Sequence, residues 1–213
     1  MEKLVECITN HVAANFIANC LLSCGYRPAM VEEPSDAEEL VKYAGAVLIN
    51  LGTVDERQAE AMRRAAKAAR AAKVPWVLDP VGVQYLSYRR ELAKELLKYK
   101  PAIIHGNARE IATLRPRGMV VLTSGKVDRI RGAKGELVEV RGGSESLQSV
   151  TATGCVLGAL CAALLADGIS PMVAAERASR AMKTAGSEAA KVAKGIGSFK
   201  VELVNELERG WRE

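Results

Sequence analysis

Residues 150–166 read VTATGCVLGALCAALLA, so two threonines, a glycine and a cysteine stand directly before an uncharged apolar run. The run is rich in strong helix formers, which predicts a helix that is buried on most sides. The polar residues then fall at the helix N-terminus, where backbone N–H groups lack intrahelical partners and the helix dipole is positive. Such a terminus can bind a phosphate or a developing oxyanion.

Two residues of this turn are candidates for chemistry. Gly154 would let a ligand approach the backbone closely because it has no side chain. Cys155 would lie at the helix start, where we expect a thiol to lose its proton more easily. The alternative that these residues alone leave open is a core helix capped by a threonine and containing a buried cysteine.

The segments before this helix alternate between apolar runs and amphipathic stretches. Continuous apolar runs are typical of parallel strands that are buried on both faces of a sheet. Strands are predicted over residues 28–31, 45–52, 74–80, 102–107 and 119–125, and helices over residues 12–23, 32–43, 55–72, 89–98, 108–114, 156–166, 172–193 and 200–209. An antiparallel hairpin over residues 128–140 is expected at the edge of the sheet. The sequence therefore predicts an α/β fold, a doubly wound three-layer α/β/α sandwich with a mostly parallel central sheet, as a single domain over residues 1–213.

The composition narrows the classes of function. Aromatic residues make up only 4% of the 213 residues, which disfavours the base-stacking surfaces that bind single-stranded nucleic acid. The formal net charge of +5 is spread along helical stretches and suits a small anionic substrate. The five cysteines are an odd number within apolar stretches, and the sequence shows no signal peptide or membrane span. We therefore expect a cytoplasmic protein with free thiols that binds neither nucleic acid nor a membrane.

Polar turns that contain glycine follow four of the predicted strands. They are Asn50-Leu51-Gly52, Asp79-Pro80-Val81-Gly82, His105-Gly106-Asn107 and Thr123-Ser124-Gly125. Ligands of open α/β sheets bind at the carboxyl edge of the strands, so these turns and residues 151–155 predict an active site at that edge. Two carboxylates there, Asp79 and Glu110, suit a Mg²⁺ ion that keeps most of its waters.

Short motifs that run through nearly the whole chain carry a family resemblance. In order they are Cys7-Ile8-Thr9-Asn10, Asn15-Phe16, Ala18-Asn19, Ala29-Met30, Asn50-Leu51-Gly52-Thr53, Leu78-Asp79-Pro80-Val81-Gly82, Gly106-Asn107 with Glu110-Ile111, Thr153-Gly154-Cys155 and Gly195-Ile196-Gly197-Ser198-Phe199. With these motifs in this order, the chain resembles the hydroxyethylthiazole kinase family of the ribokinase-like superfamily. Each motif alone is common, whereas the set together is specific.

The resemblance implies ATP-dependent phosphorylation of the hydroxyl of 4-methyl-5-(2-hydroxyethyl)thiazole, in thiamine salvage. It implies Mg²⁺ as cofactor, ATP as co-substrate, and a homotrimer with the thiazole bound near subunit contacts. Phosphoryl transfer fits the residues, because positioning and charge neutralisation dominate its catalysis. A helix N-terminus can hold the transferring phosphoryl oxygens with backbone N–H groups.

The resemblance also implies roles for individual residues. The thiazole would be bound by Met30, Asn10, Gly52 and the backbone of Ala152. The nucleotide would be bound by His105, Ser124 and Asn107, and the metal by Asp79 and Glu110. The catalytic turn would be Thr153, Gly154 and Cys155, with Cys155 where many superfamily relatives carry a catalytic aspartate.

Three departures from the family pattern concern the nucleotide. The family usually has arginine where His105 stands and glycine where Ala152 stands. The connection over residues 115–118 is much shorter than usual, and parallel strands need a crossover of about a dozen residues. The alternatives left open are a ribokinase-like kinase for another small alcohol, a thiazole-binding protein whose nucleotide site has decayed, and a Cys–His hydrolase that pairs Cys155 with His105.

Overall fold

The computed structural model describes residues 3–212, and its eight strands in that range form one sheet. The strands are β1 (Leu4–Ile8), β2 (Arg27–Met30), β3 (Ala46–Asn50), β4 (Trp76–Asp79), β5 (Ile103–Asn107), β6 (Val120–Ser124), β7 (Asp128–Arg131) and β8 (Leu137–Val140). Their order across the sheet is β2-β1-β3-β4-β5-β6-β7-β8, with β1 to β6 parallel. β7 and β8 are antiparallel additions, which confirms the hairpin expected at the edge.

Helices cover both faces of this sheet, which confirms the predicted three-layer α/β/α architecture. They are α1 (His11–Ser23), α2 (Pro34–Leu40), α3 (Glu56–Ala72), α4 (Ser87–Leu96), α5 (Ala108–Leu114), α6 (Ser146–Ser149), α7 (Thr153–Ala166), α8 (Pro171–Val192) and α9 (Ile196–Arg212). One apolar core lies between the sheet and α1, α7, α8 and α9, and a second lies beneath α2, α3 and α4. Within residues 3–212, no helix combines the length and apolar character needed to cross a bilayer.

The central helix α7 behaves as its composition predicts. Every residue from Val156 to Ala166 is buried, because α7 packs on β1, β3, β4 and β5 while α1 and α8 flank it. It begins at Thr153, three residues earlier than predicted. The chain enters α7 through Ala152, the residue just before the helix, which has a left-handed φ of +71°.

β1 is a strand that the sequence pattern does not predict. This strand carries Glu6 at its centre, and a charged residue there obscures the apolar pattern of the run LVECI. Glu6 is nevertheless fully buried, at 0% exposure. The strand lies between β2 and β3, so it is a central strand of the sheet despite its carboxyl group.

The short connection after α5 still delivers a parallel strand. Arg115 ends α5 in the left-handed region, with φ +47°, and Gly118 follows with φ +71°. β5 and β6 then pair in parallel along their full lengths, and Asn107 lies opposite Ser124. The missing crossover residues therefore leave the carboxyl edge of the sheet intact.

Candidate active site

The carboxyl ends of β4, β5 and β6 and the first turn of α7 enclose a cleft of about 540 Å³. Most of the predicted site residues line it: Asp79, His105, Asn107, Glu110, Ser124, Ala152, Thr153, Gly154 and Cys155. They meet because the strands are parallel, so their carboxyl ends share one edge of the sheet. The helix N-terminus of α7 faces that edge.

A chain of side-chain amides runs from Cys155 in the first turn of α7 to the carboxylate of Asp79. Asn10 donates from Nδ2 to Oδ1 of Asn50 at 2.9 Å, and the same nitrogen lies 3.8 Å from Sγ of Cys155. Asn50 in turn donates from Nδ2 to Oδ2 of Asp79 at 2.6 Å. Cys155 and Asp79 are therefore held in register by two buried amides. Asn50 stood in a quoted motif, but it was not among the predicted site residues.

Gly52 contacts both asparagines of this hydrogen-bonded series. Its N–H donates to Oδ1 of Asn50 at 2.9 Å. A Cβ atom at Gly52 would come within 2.6 Å of Nδ2 of Asn10, a distance too short for any side chain. The absence of a side chain therefore lets Asn10 reach both Asn50 and Cys155.

Met30 lies apart from the cleft within one subunit. It ends β2, is 37% exposed, and lines a separate depression with acidic residues of the β2–α2 region. Met30 therefore does not line the cleft, and neither do Asn10 and Gly52, the other two predicted site residues outside its lining.

The expected low pKa of Cys155 is wrong. Burial and, after it, the charge of Asp79 raise the pKa of the thiol to about 12, although hydrogen bonds from Asn50 and Asn10 oppose the rise. The free-energy cost of removing the thiolate from water exceeds the stabilisation that a helix N-terminus gives it. Cys155 is therefore a neutral thiol near pH 7 and can orient a hydroxyl, whereas it is a poor base.

The turn before α7 differs from a threonine cap. The hydroxyl of Thr153 donates to the main-chain oxygen of Leu147 at 2.7 Å, so it fastens the turn to α6. The N-cap residue is Ala152, which makes no side-chain cap hydrogen bond. The left-handed conformation costs a residue with a Cβ atom roughly 1–2 kcal/mol, which explains why glycine suits this position. The first N–H groups of α7 thus stay available to a ligand.

Glu110 links three elements at the opposite wall. Its Oε2 accepts the N–H of Asn107 at 2.8 Å, and its Oε1 accepts the N–H of Gly82 at 2.9 Å. Oδ1 of Asn107 accepts the N–H of Glu110 at 3.1 Å, which completes a capping box at the start of α5. Burial raises the pKa of Glu110, and the two backbone N–H groups oppose that rise. Each carboxylate oxygen retains a lone pair for a further ligand.

His105 is a buried residue of β5. It is 2% exposed, and its Nδ1 lies 3.8 Å from Oδ2 of Asp79, beyond hydrogen-bond length. Both ring nitrogens are buried without a hydrogen-bond partner among the described residues. Burial lowers the pKa of His105, but nearby carboxylates, above all Asp79, raise it above its usual value. The ring therefore lines the cleft together with Ser124 and Asn107, while its two nitrogens stay buried.

Two charged residues of the cleft were not among the predicted site residues. Asp128 and Lys183 both line the cleft and lie 3.3 Å apart, from Oδ1 to Nζ. Lys183 stands on the long amphipathic helix α8, where a lysine normally indicates a solvated face. Its burial follows only from how α8 packs on β6, β7 and β8.

The donor set of the cleft suits a hard divalent cation. Asp79, Glu110 and Asp128 bring three carboxylates, whereas Lys183 is the one lysine or arginine among the lining residues that the structure describes. Over the same described residues, no group of three histidine, cysteine or acidic side chains forms a complete metal cage. Mg²⁺ is usually held by one or two carboxylates together with waters and substrate phosphates, so Asp79 and Glu110 fit it.

Known proteins agree with this architecture. A family model for the hydroxyethylthiazole kinase family matches residues 1–117 and 114–212. A hydroxyethylthiazole kinase from Leptospira interrogans is 39% identical over 233 positions, which cover 97% of this chain and 88% of that protein. The solved structure of a hydroxyethylthiazole kinase from Pyrococcus horikoshii OT3 superimposes with a TM-score of 0.94 at 33% identity, over 98% of this chain and 88% of that one. A putative ribokinase from Agrobacterium tumefaciens, at 13% identity and a TM-score of 0.69 over 100% of this chain and 99% of that one, shares the fold.

The family model matches the chain in two segments. They meet at residues 114–117, the connection that follows α5. The alignment with the Leptospira protein spans 233 positions, more than the 213 residues of this chain, so the relative has positions without a counterpart here. Apart from this gap, the matches cover the strand ends and the α7 turn that form the cleft. The chain therefore belongs to the hydroxyethylthiazole kinase family.

Proposed function

We propose that this protein transfers a phosphoryl group from ATP to the hydroxyl of 4-methyl-5-(2-hydroxyethyl)thiazole, in thiamine salvage. One observation carries the proposal: the uncapped N-terminus of α7 faces the carboxylates of Asp79 and Glu110 across one cleft. Backbone N–H groups stabilise charge on phosphoryl oxygens at such a terminus. The carboxylates on the other side provide ligands for the cation that a polyphosphate brings. The Leptospira and Pyrococcus relatives are hydroxyethylthiazole kinases, which points to the same substrate.

The residues divide the cleft into two ends. We assign the alcohol to the end of the cleft lined by Cys155, with Asn10 behind it at 3.8 Å from Sγ, where the thiol can direct a hydroxyl toward the first turn of α7. Ser124, Asn107 and His105 lie at the nucleotide end, beside the paired ends of β5 and β6. The proposed reaction therefore occurs between them, in front of Gly154.

Mg²⁺ is part of the proposal, with Asp79 and Glu110 as its ligands. When bound, it would neutralise charge on the phosphate oxygens and orient them for in-line transfer. The chain contributes to this site by fixing both carboxylates: Asn50 holds Asp79, and the N–H groups of Gly82 and Asn107 hold Glu110.

A coupled assay of ADP release tests the function directly. With Mg-ATP, the hydroxyethylthiazole should give the highest kcat/KM in a panel of small alcohols, and the analogue with an ethyl group in place of hydroxyethyl should give no turnover. A higher value for another alcohol would favour a ribokinase-like kinase of different specificity. If nothing turns over, calorimetry with Mg-ATP decides whether the nucleotide site has decayed.

Replacing Cys155 by alanine should lower kcat by about tenfold to a hundredfold and leave the melting temperature nearly unchanged. The thiol is neutral and positions the alcohol, so its loss removes that orientation. Alanine is small and suits the start of a helix. Wild-type kcat in the folded variant would contradict a role for Cys155. As a control, the buried Cys161, which lies outside the cleft lining, is replaced by alanine.

We propose a homotrimer in which the thiazole lies near a subunit contact. Val12 and Leu22 on α1 are 60% and 56% exposed, and Met30 ends the neighbouring strand β2. Exposed apolar side chains of this size favour a covering surface, and a partner there would enclose Met30. Light scattering at micromolar concentration should give three times the chain mass of 22.8 kDa, whereas a monomer mass would contradict the trimer.

We propose a cytoplasmic location on the state of the cysteines. All five lie within the described residues, and all five are free thiols, four of them buried. Reducing compartments keep thiols in this state.

A further inference from the structure

Lys183 holds a buried position beside the nucleotide end of the cleft. Its side chain on α8 is 8% exposed, and its Nζ lies 3.3 Å from Oδ1 of Asp128. The ammonium donates to the main-chain oxygen of Gly125 at 3.0 Å, and the main-chain oxygens of Lys126 and Gly142 lie at 3.4 and 3.5 Å. One cation therefore joins α8 to the turn after β6 and to the segment after β8.

Asp128 completes this arrangement from the other side. Its Oδ1 accepts the N–H of Gly125 at 2.9 Å, and its Oδ2 accepts the hydroxyl of Ser179 at 2.7 Å. Ser179 lies one helical turn before Lys183 on α8. The turn at Gly125 is thus bound through its N–H and its carbonyl by two charged side chains. A buried ion pair persists only when such further hydrogen bonds satisfy it, and charge-assisted hydrogen bonds are the strong ones.

The turn that this pair fixes belongs to the proposed nucleotide end. Gly125 follows Ser124 directly, and Ser124 lies opposite Asn107 in the pairing of β6 with β5. Asp128 is the first residue of β7, so its ion pair with Lys183 also fixes where the β7–β8 hairpin begins. Within residues 124–126, only Lys126 has a long side chain, so the turn has no apolar side chain to anchor it in the core. The main-chain oxygen of Lys126 instead lies 3.4 Å from Nζ of Lys183. Their position therefore depends on a helix more than 50 residues further along the chain.

We propose that Lys183 is a positioning residue for the nucleotide. Its ammonium, paired with Asp128, holds the Gly125 turn so that Ser124 faces a nucleoside triphosphate bound in the cleft. The ammonium also adds a fixed positive charge to a cleft with three carboxylates. This inference rests on the proposed function, because it takes the nucleotide to bind beside Ser124. A role in the core alone would lower stability without favouring one substrate over the other.

Lys183→Ala separates these roles, with Lys191→Ala as the matched control on an exposed part of the same helix. Calorimetry on Lys183→Ala should show a Kd for Mg-ATP that is about ten- to a hundredfold higher, as expected for lost hydrogen bonds to a charged group. The KM for the thiazole alcohol should stay at the wild-type value. Added methylammonium should restore part of the ATP affinity, because it can donate to the same carbonyl oxygens. Tetramethylammonium has no N–H donor and should restore nothing.

Two results would overturn the role of Lys183. One is an ATP affinity in Lys183→Ala equal to that of Lys191→Ala, while the wild type binds Mg-ATP. The other is an equal loss of affinity for both substrates without rescue by methylammonium. A wild type that binds no nucleotide would instead overturn the proposed function, and this role with it.

Ser179→Ala provides the second variant if Lys183→Ala does not fold. It removes one hydrogen bond to Asp128 and keeps the ion pair, so it should raise the Kd for Mg-ATP by a smaller factor, about fivefold. A thermal melt of each variant reports the stability separately from the affinity. An unchanged ATP affinity in a folded Ser179→Ala protein, together with a failure of Lys183→Ala to fold, would assign the pair to the core alone.

Discussion

Asp79→Asn is expected to lower kcat by about a hundred- to a thousandfold, the range found when a group that stabilises transition-state charge is removed. Asparagine has nearly the same shape, so the fold should persist. The variant removes the negative charge that would hold a divalent cation, and only its amide oxygen can still accept the hydrogen bond that Asn50 donates to Oδ2 of Asp79. Steady-state kinetics over a range of Mg²⁺ concentrations should show a higher Mg²⁺ requirement, and a thermal melt should stay close to that of the wild type.

A second readout does not depend on turnover. Calorimetry should show that Mg²⁺ strengthens ATP binding to the wild type far more than to Asp79→Asn. Glu38→Gln, which removes an exposed carboxylate on α2, is the control for net charge and should behave as the wild type. Glu110→Gln is a less clean test, because both oxygens of Glu110 also accept backbone N–H groups and support the start of α5. Wild-type turnover in Asp79→Asn would remove Asp79 from the metal site.

Glu6→Met is expected to stabilise the protein, by an amount that grows with pH. Glu6 is fully buried in β1, and neither carboxylate oxygen has a hydrogen-bond partner among the described residues. Burial raises its pKa to about 8, from 4.5 for an unperturbed glutamate. Between these two values the folded state holds a proton that the unfolded state has lost. The stability of the wild type therefore falls as pH rises from 4.5 toward 8, by about 1.4 kcal/mol per pH unit.

Urea unfolding at pH 6, 7 and 8 measures this effect. Relative to Glu6→Gln, the wild type should lose about 2 kcal/mol of unfolding free energy between pH 6 and pH 8. Glu6→Gln removes the titration but keeps a buried polar group, so it is the matched control. The free energy of unfolding of Glu6→Met should run parallel to that of Glu6→Gln over this pH range, because neither variant titrates at position 6. It should be about 1–3 kcal/mol higher at each pH, because methionine leaves no unpaired polar group. Parallel pH profiles for the wild type and Glu6→Gln would show that the carboxyl of Glu6 titrates normally.

Glu6 also shows where sequence patterns fail for this fold. The other parallel strands are read correctly from continuous apolar runs, since both faces of a parallel sheet are covered by helices. β1 satisfies the same rule in space, yet it breaks the rule in sequence with one carboxyl group. A pattern of residue types reports an average preference for burial, and it cannot identify the single position at which the fold tolerates an exception.

The candidate site divides in the same way. The strand-end turns and the α7 turn could be predicted, because parallel strands necessarily bring their carboxyl ends together. The pair formed by Asp128 and Lys183 could not, because the contact joins residues that no local period relates. Met30 was assigned by resemblance, and within one chain it lies outside the cleft.

The sequence by itself determined the class of fold, the buried helix α7 and the polar turn before it, because these depend on composition and periodicity over a few neighbouring residues. Only the tertiary structure decided the protonation and the connections of the side chains in the cleft. Cys155 has a raised thiol pKa because partial burial and the nearby charge of Asp79 disfavour the thiolate, against its place at a helix start. Burial and partners arise from elements that are distant in the chain, so local sequence carries no record of them.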